Sequence, residues 1–259
     1  MIRKLFIVAG AGFVLSVACI AGATALASHE VAKNGGVWTL SESGNRHIRI
    51  PHRTNTPVAP SVTRTLSWSG ADRLLIDVPA EVVYTQGATP SVTVNGSKIL
   101  VERVRLENGR LYLADGPDAE HTLEFRFSSG GIQAHSNDAL KIVITAPSVK
   151  DFEIAGSSDL RVSGYDQPSL DLRISGSGSA EVSGRAKSLK LDISGAGEAD
   201  LANLNVEDAD VSISGSGDAT IAPTGKVKVD VSGSGNVELK TRPAYLDSRI
   251  SGAGSVEQE

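Results

Sequence analysis

Residues 150–259 carry one short pattern again and again, and a chain with such a period folds as a stack of equal units. Ile174-Ser175-Gly176-Ser177-Gly178 returns as Ile193-Ser194-Gly195-Ala196-Gly197 and as Ile213-Ser214-Gly215-Ser216-Gly217. Val231-Ser232-Gly233-Ser234-Gly235 and Ile250-Ser251-Gly252-Ala253-Gly254 complete the set. An imperfect first copy begins at Ile154, with Gly156-Ser157-Ser158 in place of the second glycine. The offsets from copy to copy are 20, 19, 20, 18 and 19 residues.

Apolar residues keep register with these corners. Two positions before each Ile or Val stand Phe152, Leu172, Leu191, Val211 and Val229, with Ser248 breaking the column. Six positions after come Leu160, Ala180, Ala199, Ala219, Val237 and Val256. Eight positions after come Val162, Val182, Leu201, Ile221 and Leu239, then polar Gln258. Spacing by two is the signature of a strand with one buried face, so each copy holds two short strands joined by a glycine corner. Glycine adopts the bend without a Cβ clash and lets neighbouring units approach closely. One copy cannot bury its apolar stripe alone, whereas stacked copies form a continuous core. The expectation is a parallel β-solenoid, or β-helix, of about six coils. Its last coil is marked by Ser248 and Gln258, which suit a face exposed to water.

Upstream, residues 61–149 read as further strands stacked on that solenoid. Leu74–Val78, Glu81–Thr85, Ser91–Val94, Thr122–Phe127 and Leu140–Ile144 are β-branched or alternating runs bounded by Pro, Gly and polar residues. Asn95-Gly96 is a tight-turn signal before Ile99-Leu100-Val101. Asn108-Gly109 is another, between Val104–Leu106 and Leu111–Leu113. No stretch holds a helical period for three turns, so the class is all-β. Residues 61–259 are expected to form one domain.

The N-terminus reads as an export signal. Arg3 and Lys4 precede an uncharged run from Leu5 to Ala27, and Ala25-Leu26-Ala27 fits a signal-peptidase site. Residues 1–27 are therefore expected to be removed. The alternatives are an uncleaved anchor, since such a run is long enough to span a bilayer, and lipidation at Cys19. Ser16 stands where a lipoprotein signal has Leu. Residues 28–60 read as a polar, Pro-containing linker. His29, His47 and His52 within it match no ligand spacing and are expected to be solvated.

Charge and chemistry narrow the function. Twenty-five basic against 30 acidic residues give a net charge of −5, which argues against a nucleic-acid partner. Cys19, the sole cysteine, excludes a disulfide framework. Asp159, Ser179, Glu198, Asp218, Asn236 and Ser255 form an outward column five positions after each Ile or Val. That column resembles a calcium ladder only loosely; turn residues bonding from coil to coil fit better. His121 and His135 lie in turn-like sequence. Asp171, Arg173, Asp192 and Asp230 are the residues a β-helix carbohydrate-active enzyme would gather on one face, yet each also fits an ordinary outward strand position. Phe152, Tyr165 and Tyr245 are the aromatics the repeats offer to a glycan. No catalytic, cofactor or metal residue is assigned.

Thr85-Gln86-Gly87, Pro90-Ser91-Val92-Thr93-Val94-Asn95-Gly96 and Ala146-Pro147-Ser148-Val149-Lys150, followed by the serial corners, resemble the GIN domain family of auto-transporter adhesin heads. The likeness spans about residues 66–256. It implies an exported β-solenoid with an adhesin-like binding role, and it brings no catalytic residues. Too little sequence follows the repeats to form an outer-membrane barrel. The expected protein is non-enzymatic, needs no cofactor and has no membrane span in its mature chain. It is placed in the periplasm, on the outer surface or in the medium, with an unidentified protein or glycan partner and a capacity for self-association. A periplasmic structural or envelope-maintenance role is the first alternative, and a β-helix carbohydrate-active enzyme the second.

Overall fold

A computed structural model describes residues 37–43, 47–49, 61–116, 121–128, 131–136 and 140–259. Residues 1–27, read as an export signal and including Cys19, lie outside the described residues, as do His29 and His52. The chain divides into two compact units, Met1–Val58 with Glu120–Asn137, and Ala59–Ala119 with Asp138–Glu259.

The first unit holds a four-stranded antiparallel sheet. Val37–Ser43 pairs with His47–Arg49 on one side and His121–Ser128 on the other, and Gly131–Ser136 completes the sheet beyond His121–Ser128. Two strands thus arise within the segment read as a polar linker. Their apolar alternation is short, and the main partner lies far along the chain, where a local window does not reach. His121 and His135 occupy strands rather than turns, opposite Glu42 and Glu124 respectively.

The second unit is the solenoid, with two walls of parallel strands. Along the first wall Ile76, Ile154, Ile174, Ile193, Ile213, Val231 and Ile250 follow one another in direct register. Along the second run Val82, Leu160, Ala180, Ala199, Ala219, Val237 and Val256. Apart from Ile250 and Val256 in the last coil, all of these are buried. Full burial of such an aliphatic side chain stabilises by about 1.5–3 kcal/mol, so successive coils reinforce one another. Six glycine corners bound about five turns, so the expected count of about six coils is one too high. A corner marks the boundary between turns rather than a turn.

The stack also begins earlier than the glycine corners indicate. Arg73–Asp77 pairs in parallel with Asp151–Gly156, and Ala80–Gln86 with the start of Asp159–Gly176. Leu74, Ile76, Val82 and Tyr84 occupy the same columns as Phe152, Ile154, Leu160 and Val162. Here Asp77-Val78-Pro79 replaces the glycine corner. That explains the imperfect copy above it: buried Ser158 sits where later copies have glycine, and its hydroxyl donates to the Val78 carbonyl.

Each later corner uses its two glycines differently. Gly215 has φ +128°, and a Cβ there would lie 2.3 Å from the Gly195 carbonyl oxygen in the coil beneath. Gly217 is needed for space alone: its Cβ would fall 2.6 Å from Ile193 Cγ2.

One end of the stack is closed. Arg110–Leu113 adds in parallel to Arg73–Asp77, and Val104–Glu107 then pairs antiparallel through a turn at Asn108-Gly109, whose φ values are 49° and 78°. That turn is where the sequence placed it. On the other wall Leu140–Ala146 adds to Ala80–Gln86, then Ser91–Ser97 and Ser61–Leu66 follow antiparallel. The Asn95-Gly96 signal does not make a turn. Asn95 pairs with Thr63 and with Lys141, and its side-chain amide donates to Thr63 Oγ1 at 2.9 Å. A ladder on both sides outweighs the local preference. Ile99-Leu100-Val101 is helical, within Lys98–Arg103, and this short helix buries Leu100 and Val101. The Arg64 guanidinium donates to the carbonyls of Val101, Glu102 and Val104, each at 3.3 Å, and so satisfies the helix end.

Candidate binding faces

Outward side chains of the solenoid fall into three sets, each fixed by strand alternation. The first is the column five positions after each Ile or Val. Ser179 Oγ donates to Asp159 at 2.6 Å, Asn236 Nδ2 to Asp218 at 2.9 Å, and Ser255 Oγ to Asn236 Oδ1 at 2.9 Å. These are the coil-to-coil bonds expected of a turn ladder. Among the described residues no group of three or more His, Cys, Asp or Glu side chains is arranged to hold a metal ion.

Beside Asp159 and Ser179 the second wall dips into an open depression of about 460 Å³. Glu81, Asp159, Glu181, Glu198 and Asp200 line it, with Arg161 as the one cation of the lining. Arg161 is engaged by Glu181 at 2.8 Å, and Lys141 reaches Glu81 at 3.0 Å. Asp159, Glu198 and Asp200 keep the depression acidic. Sequence reading placed Asp159, Ser179 and Glu198 together. It missed Glu81, whose coil lacks the glycine corner, and Asp200, which stands one alternation further along.

A second set runs along the first wall. The Arg173 guanidinium lies 3.1 Å from Asp151, 2.8 Å from Asp171 and 3.8 Å from Asp192, while Lys190 meets Asp192 at 3.2 Å. Arg73 adds contacts to Asp151 and Glu153. Further along, Asp230 pairs with Lys228 at 2.5 Å and faces Arg249 at 3.9 Å. So Asp171, Arg173 and Asp192 do come together, and Asp230 belongs to a separate cluster. Burial pushes the Asp171 carboxyl above its ordinary value against the pull of Arg173, and its Oδ1 has no hydrogen-bond partner.

The third set is the final coil. Tyr245–Gly252 pairs with Lys226–Gly233, and Ser255–Gln258 with Asn236–Leu239; among the described residues no strand pairs with their far sides. Tyr245 is 61% exposed and Ile250 45% exposed, whereas the equivalent Val231 is buried. Of the aromatics considered for glycan contact, only Tyr245 is accessible. Phe152 and Tyr165 are core residues, packed edge to face at 6.3 Å, with Tyr84 against Phe152 at 5.1 Å. Alternation carries Phe152 there, whereas an irregularity between Val162 and Tyr165, with Gly164 at φ +66°, brings Tyr165 inward, and its hydroxyl donates to the Ser169 carbonyl at 2.6 Å.

The sequence profile described as "Putative auto-transporter adhesin, head GIN domain" matches residues 72–243. The chain belongs to the GIN domain family. The match starts where Arg73–Asp77 opens the solenoid and stops just before the final coil at Tyr245. A "putative adhesin" from Bacteroides fragilis shares the GIN-domain architecture at a TM-score of 0.59 and 18% identity, over 77% of this chain and 97% of its own. A "putative adhesin" from Parabacteroides distasonis matches at a TM-score of 0.47 and 19% identity, covering 78% and 98%. No match was found among the curated proteins. No helix of the described residues is long and apolar enough to cross a membrane.

Proposed function

We propose that this GIN-domain chain is an exported, non-enzymatic, adhesin-like binding module, and that the acidic depression on its second wall is where a partner docks. The observation that carries the reading is the lining itself: five carboxylates converge there, Arg161 is bonded to Glu181 and Lys141 to Glu81, and Asp159, Glu198 and Asp200 supply the excess charge. A rigid parallel wall holds those groups at fixed spacing, which favours a partner presenting a matching row of cations. A basic protein surface is such a partner. The export signal read from residues 1–27 and the adhesin-like family support the exported setting.

Binding of the purified chain to immobilised basic and acidic polypeptides and to a glycan array tests this. Retention on the basic polypeptides is expected, weakening as salt rises, and Glu198→Gln with Asp200→Asn should reduce it about tenfold. Equal retention by that variant would overturn the assignment of the site. Protease shaving of intact producing cells tests the location: digestion before the envelope is opened supports surface display, and protection argues for a periplasmic scaffold instead.

The Asp171 cluster is the observation that favours a carbohydrate-active enzyme. Its Arg173 guanidinium, however, is shared among three carboxylates, Arg73 and Lys190 pair with two of the same three, and the cluster lies along a strand face, which fits structural pairing better. Turnover of a polysaccharide that Asp171→Asn abolishes would reverse that judgement.

A further inference from the structure

We propose that the final coil is a dimerisation edge, on which Tyr245–Gly252 pairs antiparallel with the same strand of a second copy about a two-fold axis at Ser248. The inference is independent of the partner-binding reading above and uses different residues.

The backbone sets the possible registers. Tyr245 N–H donates to the Gly225 carbonyl at 3.2 Å and Ala253 N–H to the Gly233 carbonyl at 2.8 Å. In a parallel ladder the backbone groups of alternate residues point to one side. Odd-numbered residues of this strand therefore face the coil beneath, and Leu246, Ser248 and Ile250 present their N–H and C=O groups to the open side. A second copy running antiparallel can exchange both bonds at Ser248 and again between Leu246 and Ile250.

Charge then selects among registers. Asp247 and Arg249 stand on the outward face on either side of Ser248. Centring the axis at 247 or at 249 would set Asp247 against Asp247 or Arg249 against Arg249, and like charges directly opposite are destabilising. Centring it at Ser248 sets Asp247 opposite the copy's Arg249, twice over. The same register lays Leu246 opposite the copy's Ile250, covering a side chain that is 45% exposed in the single chain. The strand is self-complementary in charge, in apolar contact and in hydrogen bonds at one register only.

The closed end explains why the assembly stops at two. There the stack finishes in Val104–Glu107 and Ser61–Leu66, both antiparallel to their inner neighbours, and in the helix Lys98–Arg103. Among the described residues no parallel coil is presented there for another copy's final coil to extend, so the open ends meet each other. A two-fold contact of this kind is closed.

Sedimentation velocity on the full chain over a concentration series, with Asp247→Arg, Arg249→Asp and the double variant alongside, tests the register. The parent should dimerise, each single reversal should weaken the dimer about tenfold or more, and the double swap should restore it. A parent that stays monomeric at about 100 µM overturns the proposal, as does a dimer indifferent to both reversals, or growth into longer oligomers. Hydrogen exchange gives a readout that does not depend on the variants folding. Amides of Leu246, Ser248 and Ile250 should gain the most protection with concentration, more than Asp247 and Arg249, which already face the coil beneath in the single chain. Absence of that alternation in a dimeric sample would place the interface elsewhere.

Discussion

The Gly215→Val substitution drives a Cβ toward the Gly195 carbonyl oxygen at a backbone angle that side chains rarely adopt. Strain and collision act together, so the loss should reach about 3 kcal/mol or more. Gly156 isolates one of the two effects. Its φ is +91°, yet a Cβ there meets nothing within 4 Å, because the coil beneath turns through Asp77-Val78-Pro79. Gly156→Ala should therefore cost only about 1–3 kcal/mol from strain. Outward Glu198→Ala should stay within about 0.5 kcal/mol. Denaturant melts of the three variants check the order, and equal losses at 156 and 215 would remove contact between coils from the explanation of the corner.

Elements show where sequence patterns transmit structure and where they lose it. Ile, Leu and Val columns locate the strands of residues 150–259 because burial on one face imposes alternation on every coil. The same alternation in Leu74, Ile76, Val82 and Tyr84 marks another coil, obscured because Asp77-Val78-Pro79 carries no glycine signature. Asn95-Gly96 and Ile99–Val101 misled for a different reason: strands on both sides and the need to cover the end of the core decided their conformations. The acidic depression was legible only in part, since Glu81 and Asp200 reach it through stacking of distant coils. Charge pairing along the strands has its own pH signature. Asp166 and Asp230 are held below the ordinary value by bonds to Arg185 and Lys228 respectively, as is Glu259 by Lys240. Their stabilisation is present above the unfolded values, near about 4, and is lost as pH falls through the folded ones. Asp171 runs the other way. With a raised folded value it retains its proton longer than the unfolded chain does, so its contribution is lost as pH rises from about 4. In thermal melts Asp171→Asn should gain on the parent as pH rises through that window. A gap that shrinks instead would contradict the burial-driven shift.

For the whole molecule, stability should be graded along the stack. Each coil touches only its neighbours, and one end is closed by helix and antiparallel strands while the other lies open. In dilute solution, amide exchange should be fastest in Tyr245–Gly252 and Ser255–Gln258 and slowest around Ile154, Leu172 and Ile174. Uniform exchange along the stack would mean that the unit opens as a single block. The dimer inferred above would flatten that gradient by closing its loose end.

Separate ends also make length an independent variable. Because the closing elements sit entirely before the first glycine corner and the open strand Tyr245–Gly252 entirely after the corner at Gly233-Ser234-Gly235, a whole 18–20-residue unit can be inserted between them with every column intact. Each insertion would move the terminal strand about 4.8 Å further from its closure without changing either. The architecture is thus an extensible spacer whose reach is written in the number of copies, while its two termini keep their own chemistry.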